Sequence, residues 1–378
     1  MDNLKNISQS ASDENEPLRR LGRYVELESP TGARDAIMGF TSEVASRLER
    51  LGATVTWQSH SGGDHLIASF PGSAPLESEA PILILVHSDT VWPLGQLEVM
   101  PWSVGGGVAS GPGVFDMKGG IVIVEEAIGR VVEKPHRPIV VLVVADEEIG
   151  SPTSRELIEA HARIARAVLG FEPPHPDGSL KTSRWGSTRL RLEVVGREAH
   201  AALDAEAGIS AIDELLDQLM IVRTVTQGTP GVLCNVGIIG GGAKTNVIPA
   251  RASADIGLRF QDAETEDKIL AKLLALRPLR DGAAVTVNFL SNRPAWQPGQ
   301  EHDELLATIV TAGISCGQRV EGRPSTGAAD TNLSGRLGVP SVDGLGPIGQ
   351  GAHALSEQIV VDSLADRIVL VSAILEAL

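Results

Sequence analysis

The chain has 378 residues, 42% of them hydrophobic but only 3% aromatic, so its core must be mainly aliphatic and its length suits two domains. A formal charge of −16 argues against a nucleic-acid partner, because a phosphate backbone needs a basic face. No apolar run approaches the roughly 20 residues that cross a bilayer, the polar start MDNLKNISQSASDENEPLRR lacks a signal core, and two cysteines are too few for a disulfide framework.

A soluble, cytoplasmic protein with no membrane partner is therefore expected. Residues up to about Pro17 read as loosely ordered. Apolar residues recur at helical spacing from Leu18 to Leu27 and from Ala36 to Leu51, and strands are predicted over 53–57 and 66–70. The apolar run from Ile82 reads as a buried strand ending at His87, with Asp89 two residues on. Open α/β sheets bind ligands beyond such strand ends. A neutral imidazole there suits a metal, and a carboxylate can fix its tautomer. A polar strand end followed by a turn explains the same two residues equally well.

The Gly- and Pro-rich stretch 91–114 is long for a loop in a compact domain, which points to function. It ends in GPGVFDMKGG, placing Asp116 near the entrance of a helix over 121–132. A second apolar strand, 139–145, runs into Asp146, Glu147 and Glu148. After a helix over 153–165, a third strand, 167–171, delivers Glu172. This alternation predicts a parallel sheet with helical crossovers. From Thr188 the pattern changes to strand (188–195), helix (206–226), two strands (232–239, 250–260), helix (262–276) and strand (284–290), a split βαβ layout. Helix 301–313, strand 339–342 and helix 361–377 return to the first pattern. The expected fold class is α/β, a mostly parallel sheet flanked by helices. Residues 1–184 and 296–378 form that body, and an inserted α+β domain spans 185–295.

His87 with Asp89, Asp116, Glu147 with Glu148, and Glu172 thus stand at element ends, and His353 follows in the Gly-rich loop GQGAHALSE. Mixed nitrogen and oxygen donors suit zinc, with cobalt or manganese as substitutes. If Glu148 binds metal, Glu147 is left beside a metal-bound water, where a general base is needed. An acidic helix start accounts for the same pair. His60, His65, His136, His161, His175 and His302 fall in turns, loops or helix ends and receive no role.

In order, HSDT, GPGVFDMKGG, ADEEIGS, GFEPP, GREAH, TNVIPA and GQGAHALSE resemble the dizinc aminoacylase and glutamate carboxypeptidase (carboxypeptidase G-like) metallopeptidase family. The resemblance runs from about residue 18 to the C-terminus. It implies a catalytic domain with an inserted lid that also forms a homodimer contact, and two zinc ions per subunit. His87 and Glu172 would hold one zinc, Glu148 and His353 the other, and Asp116 would bridge. Glu147 would be the general base, Asp89 would orient His87, and His200 would stabilise the oxyanion. Asn246, Arg259 and Arg293 would bind a substrate carboxylate, a task suited to arginine's planar fork.

The implied activity is zinc-dependent hydrolysis of the amide bond in N-acyl or N-aroyl amino acids, or in small peptides with a free C-terminal carboxylate. One alternative is a deacetylase or desuccinylase of N-acyl-amino acids in the same family. Another is a non-catalytic, metal-binding receptor for amino-acid conjugates, against which Glu147 and His200 both argue. A dinucleotide enzyme is excluded, because no G-x-G-x-x-G follows the early strands.

Overall fold

The structure, a computed structural model, describes residues 16–378; most of the stretch expected to be loosely ordered lies outside them. The chain forms two compact units. One runs up to Ser183 and adds Pro298–Pro324 and Ala329–Leu378; the other comprises Arg184–Gln297 and Ser325–Ala328.

The first unit begins with helices Glu16–Glu26 (α1) and Arg34–Arg50 (α2), then strands Thr54–Gln58 (β1), His65–Phe70 (β2) and Ile82–His87 (β3). Helix Gly119–Val131 (α3), strand Ile139–Val144 (β4), helix Arg155–Ala162 (α4) and strand Ala167–Gly170 (β5) follow. The second unit supplies strand Gly186–Val195 (β6), helix Ala211–Thr226 (α5), strands Val232–Gly241 (β7) and Arg251–Phe260 (β8), helix Ala263–Leu274 (α6) and strand Ala284–Arg293 (β9). Helices Gln300–Ser315 (α7) and Thr331–Arg336 (α8), strand Ser341–Val342 (β10) and helix Val361–Ala377 (α9) complete the first unit.

Its main sheet has the order β1-β2-β4-β3-β5-β10. The β1–β2 and β2–β4 pairs are antiparallel, and the other three are parallel. All six residues of β3 are buried. Ile82, Ile84 and Val86 pack with residues of α1, α2, α3, α7 and α9. Leu83 and Leu85 pack with Leu157 and Ile158 of α4 and Leu333 of α8. A strand covered on both faces must be apolar throughout, which is why its sequence shows no alternation. Truncating Ile84 to Ala would cost about 2–5 kcal/mol.

This packing sets the site. His87 lies opposite Val144, and Leu85 opposite Gly170, so β3, β4 and β5 end side by side. A Cβ on Gly120 would stand 2.5 Å from the Phe171 carbonyl oxygen. Glycine there lets α3 begin against the strand end that carries Glu172.

The second unit is a four-stranded antiparallel sheet, β7-β8-β6-β9. Leu190, Leu192 and Val194 of β6 pack with Leu215 and Val222 of α5 and Ile269 and Leu273 of α6. Alternate residues of β6 are buried and open. The helix read from residue 206 starts at Ala211: Gly208 is extended, and Ser210 caps the helix by accepting the Asp213 N–H at 3.2 Å. The strand read from 339 shrinks to 341–342, since Pro340 has no N–H for the ladder. No described helix is long and apolar enough to cross a membrane.

Candidate metal centre

His87 closes β3, and Glu147 and Glu148 form one tight turn after β4. Glu172 lies two residues past β5, and Asp116 sits in the non-helical turn before α3, where the Asp116–Met117 peptide is cis. His353 occupies the left-handed region, with φ of 62°. The structure gathers these residues. The His87 Nε2 is 3.1 Å from Asp116 Oδ1 and 3.6 Å from Glu172 Oε1. The His353 Nε2 is 3.3 Å from both Asp116 Oδ2 and Glu148 Oε2. Donor atoms of His87, Glu147 and Glu172, and of His87, Asp116 and Glu148, form two groups in which every atom lies within 4.8 Å of the others.

Asp89 stands differently from the sequence expectation. The His87 Nδ1–H meets the Asp89 backbone carbonyl at 2.8 Å, while its carboxylate is farther, at 3.5 Å. That carboxylate accepts the N–H groups of Glu147 (3.1 Å) and Glu148 (3.2 Å) and the Thr31 hydroxyl (2.8 Å). Asp89 therefore fixes the His87 tautomer through its main chain and holds the glutamate turn through its side chain.

With Nδ1 donating, His87 turns its Nε2 toward carboxylate oxygens, an arrangement that a proton on Nε2 or a metal cation between them satisfies. Burial opposes charge on His87, yet Asp116, Asp89 and Glu172 hold its pKa well above the ordinary value. Hydrogen bonds that His353 donates to the Asp116 and Glu148 carboxylates raise its pKa to about 10. Burial disfavours charge on Asp116, but the two imidazoles hold its carboxyl below the usual range. Burial pushes Glu148 up, and its Oε1 is buried without a hydrogen-bond partner. Four carboxylates, one of them with an oxygen that no hydrogen bond satisfies, and two imidazoles make a donor set that fits a divalent metal.

His200 and Asn246 meet in the second unit. His200 pairs with Val247 in a short ladder, and the Asn246 carbonyl accepts the Ala201 N–H at 3.0 Å. The His200 Nδ1 accepts the N–H groups of Ala202 (3.2 Å) and Leu203 (3.1 Å), so a neutral ring carries its proton on the exposed side, at Nε2. Arg259 on β8 and Arg293 on β9 both lie opposite Ser187 of β6. They share one sheet face two strand spacings apart, roughly 10 Å. Partial burial and the charge of Arg293 lower the pKa of Arg259.

Sequence reasoning gave no role to Glu357 or Asp343. Glu357 is buried and accepts main-chain N–H groups of the Asp116 turn; Asp343 accepts that of Glu172 at 3.3 Å. Asp343 follows the two-residue strand Ser341–Val342, whose letters carry no apolar run to mark it. His65, read as a turn residue, opens β2 and is buried. Its Nδ1 accepts the Ala145 N–H at 3.1 Å, and its Nε2 meets Thr153 at 2.9 Å.

Residues 83–377 match peptidase family M20/M25/M40. The chain is 29% identical over 376 residues to carboxypeptidase G2 of Pseudomonas sp. (strain RS-16), covering 96% of this chain and 89% of that one. It is 28% identical over 320 residues to the succinyl-diaminopimelate desuccinylase of Gluconacetobacter diazotrophicus, covering 77% and 80%. The fold is shared with aminopeptidase PepT from Bacillus cereus, at a TM-score of 0.73 and 22% identity over 96% of this chain and 98% of that one. A centre of imidazoles and carboxylates at the end of a mostly parallel sheet agrees with these matches: the chain belongs to peptidase family M20/M25/M40 and is a metal-dependent hydrolase.

Proposed function

We propose that this protein is a two-zinc hydrolase of the amide bond in N-acyl or N-aroyl amino acids, or in small peptides with a free C-terminal carboxylate. In this reading His87 and Glu172 hold one zinc, Glu148 and His353 the other, and Asp116 spans both. The observation that carries it is the geometry of Asp116, which turns one oxygen to His87 and the other to His353. Bound there, a zinc pair would lower the pKa of the attacking water and polarise the scissile carbonyl.

The protein's own groups supply the rest. The Glu147 carboxylate takes the water's proton and passes it to the leaving nitrogen. Asp89 keeps Glu147 and Glu148 in one turn by binding both their N–H groups. The role proposed for His200 is to donate its Nε2–H to the developing oxyanion; the main-chain donors on its Nδ1 support that tautomer. Arg259, Arg293 and Asn246 are the proposed anchors of the substrate carboxylate. Two arginines on one sheet face suit a dicarboxylate such as a C-terminal glutamate. The similarity to a desuccinylase supports a second reading, in which the arginines hold the carboxylate of a succinyl group.

Elemental analysis and a substrate panel test the proposal. Two zinc ions per chain are expected, with hydrolysis of N-acyl and N-aroyl amino acids that fails when the C-terminal carboxylate is amidated. Preference for C-terminal glutamate supports the first reading, and preference for succinylated basic amino acids the second. Zinc-loaded protein inert toward the whole panel would overturn this substrate class.

A further inference from the structure

Glu357 follows His353 by four residues and takes no part in the chemistry above. It is only 1% exposed, yet four N–H groups converge on its carboxylate. Its Oε1 accepts from Phe115 N at 2.9 Å and Asp116 N at 3.0 Å. Its Oε2 accepts from Gly113 N at 2.9 Å and from the Trp92 indole at 2.7 Å. A buried carboxylate persists only when so satisfied. Three of the donors are main-chain groups of the turn bearing Asp116. Lys118 N closes the turn on the Gly113 carbonyl at 2.9 Å and Gly119 N on that of Val114, but Asp116 itself is non-helical, at φ −122° and ψ 94°.

We propose that Glu357 is a positioning residue of the metal centre. It ties the loop carrying His353 to the turn carrying Asp116, and so sets the 3.3 Å approach of His353 Nε2 to Asp116 Oδ2. The inference rests on the metal-centre reading above. A parallel supports it: Asp89 holds the Glu147–Glu148 turn by its N–H groups, and Asp343 holds Glu172 in the same way. The turns that bear these carboxylates thus hang, by main-chain hydrogen bonds, from carboxylates outside the proposed ligand set.

The test is Glu357→Gln in the full chain, which keeps the shape but turns a donor toward groups that are themselves donors. Zinc affinity is read by chelator competition, and geometry by the absorption spectrum of the cobalt-loaded protein. Glu214→Gln is the control: a buried carboxylate in the second unit that also accepts main-chain N–H groups, from Leu279 and Arg280. Glu357→Gln is expected to weaken zinc binding about 10- to 100-fold, alter the cobalt spectrum and lower kcat with little change in KM. Glu214→Gln is expected to lower thermal stability and leave zinc affinity and spectrum alone.

Zinc affinity within about twofold of the parent and an unchanged spectrum in Glu357→Gln would overturn the proposal, as would an equal loss in both variants. A parent chain that binds no metal overturns the metal-centre reading and this inference with it, a result distinct from parent binding that Glu357→Gln leaves untouched. Should Glu357→Gln not fold, amide exchange in the metal-free parent decides. The Gly113, Phe115 and Asp116 amides are expected to exchange slowly before metal is added, and protection that appears only with metal would overturn it.

Discussion

Glu147 and Glu148 are adjacent in the chain but meet different surroundings. The Glu148 Oε2 faces His353, and its other oxygen is buried without a partner, whereas Glu147 joins the His87 and Glu172 group. A base that only moves protons can be removed without loss of the metal. Glu147→Gln is therefore expected to retain metal by elemental analysis while kcat falls about 10²- to 10⁴-fold. A variant within tenfold of the parent would remove Glu147 from that role. His200→Ala gives a complementary test. Loss of one oxyanion donor should lower kcat about 10²- to 10³-fold at unchanged metal content, while a parallel loss of metal would make His200 structural. At this scale the sequence is informative where a polar residue ends an apolar run, as at His87 and Glu147. The grip of Asp89 on the next turn could not be read there, because it runs through main-chain N–H groups that no side-chain letter reports.

At the scale of elements, the packing of α1 and α2 against α3 carries a titratable device. Arg20 serves two carboxylates of α3, Glu126 at 2.6 Å and Glu125 at 3.3 Å. Glu125 is fully buried and also accepts the Tyr24 hydroxyl at 2.7 Å. Burial raises its carboxyl to about 7, against the lowering pull of Tyr24 and Arg20. Below the unfolded value of about 4.5 both states are protonated. Between there and about 7 the unfolded chain ionises while the folded one keeps its proton, so stability falls as pH rises through this window and levels off above it. Glu125→Gln cannot ionise and should flatten that slope, read as a smaller fall in Tm between pH 5 and pH 8. Equal slopes in parent and variant would assign the pH dependence elsewhere. The helices themselves were legible, since 3.6-residue periodicity and caps lie within one segment. Register was not: Arg259 and Arg293 fall opposite the same Ser187 only once β8 and β9 have paired with β6, and pairing is a property of three distant segments together.

For the whole molecule, the fold class was readable because a sheet covered on both faces and a sheet covered on one leave different apolar patterns, unbroken in β3 and alternating in β6. Assembly leaves a subtler mark. Among the described residues, β7 is an edge strand bonded only to β8. It spans ten residues, nearly all exposed, with Leu233, Val236, Ile238 and Ile239 among them. Leu216 and Met220 of α5 are exposed too, and both border a cavity of about 650 Å³ shared with Leu233 and Val236. A long apolar edge beside an apolar helix face invites pairing with another chain unless something covers it. The homodimer that the family resemblance implies would cover it by placing two β7 strands edge to edge, with the α5 faces alongside. Leu216→Glu combined with Met220→Glu would bring four like charges together across such an interface, two from each chain. The parent is expected to run as a dimer in size-exclusion chromatography with light scattering, and the double variant as a monomer. Its metal content per chain should match the parent's, because every proposed ligand lies in the other unit. A parent that is monomeric, or a variant that stays dimeric, would place the contact on another surface or remove it altogether.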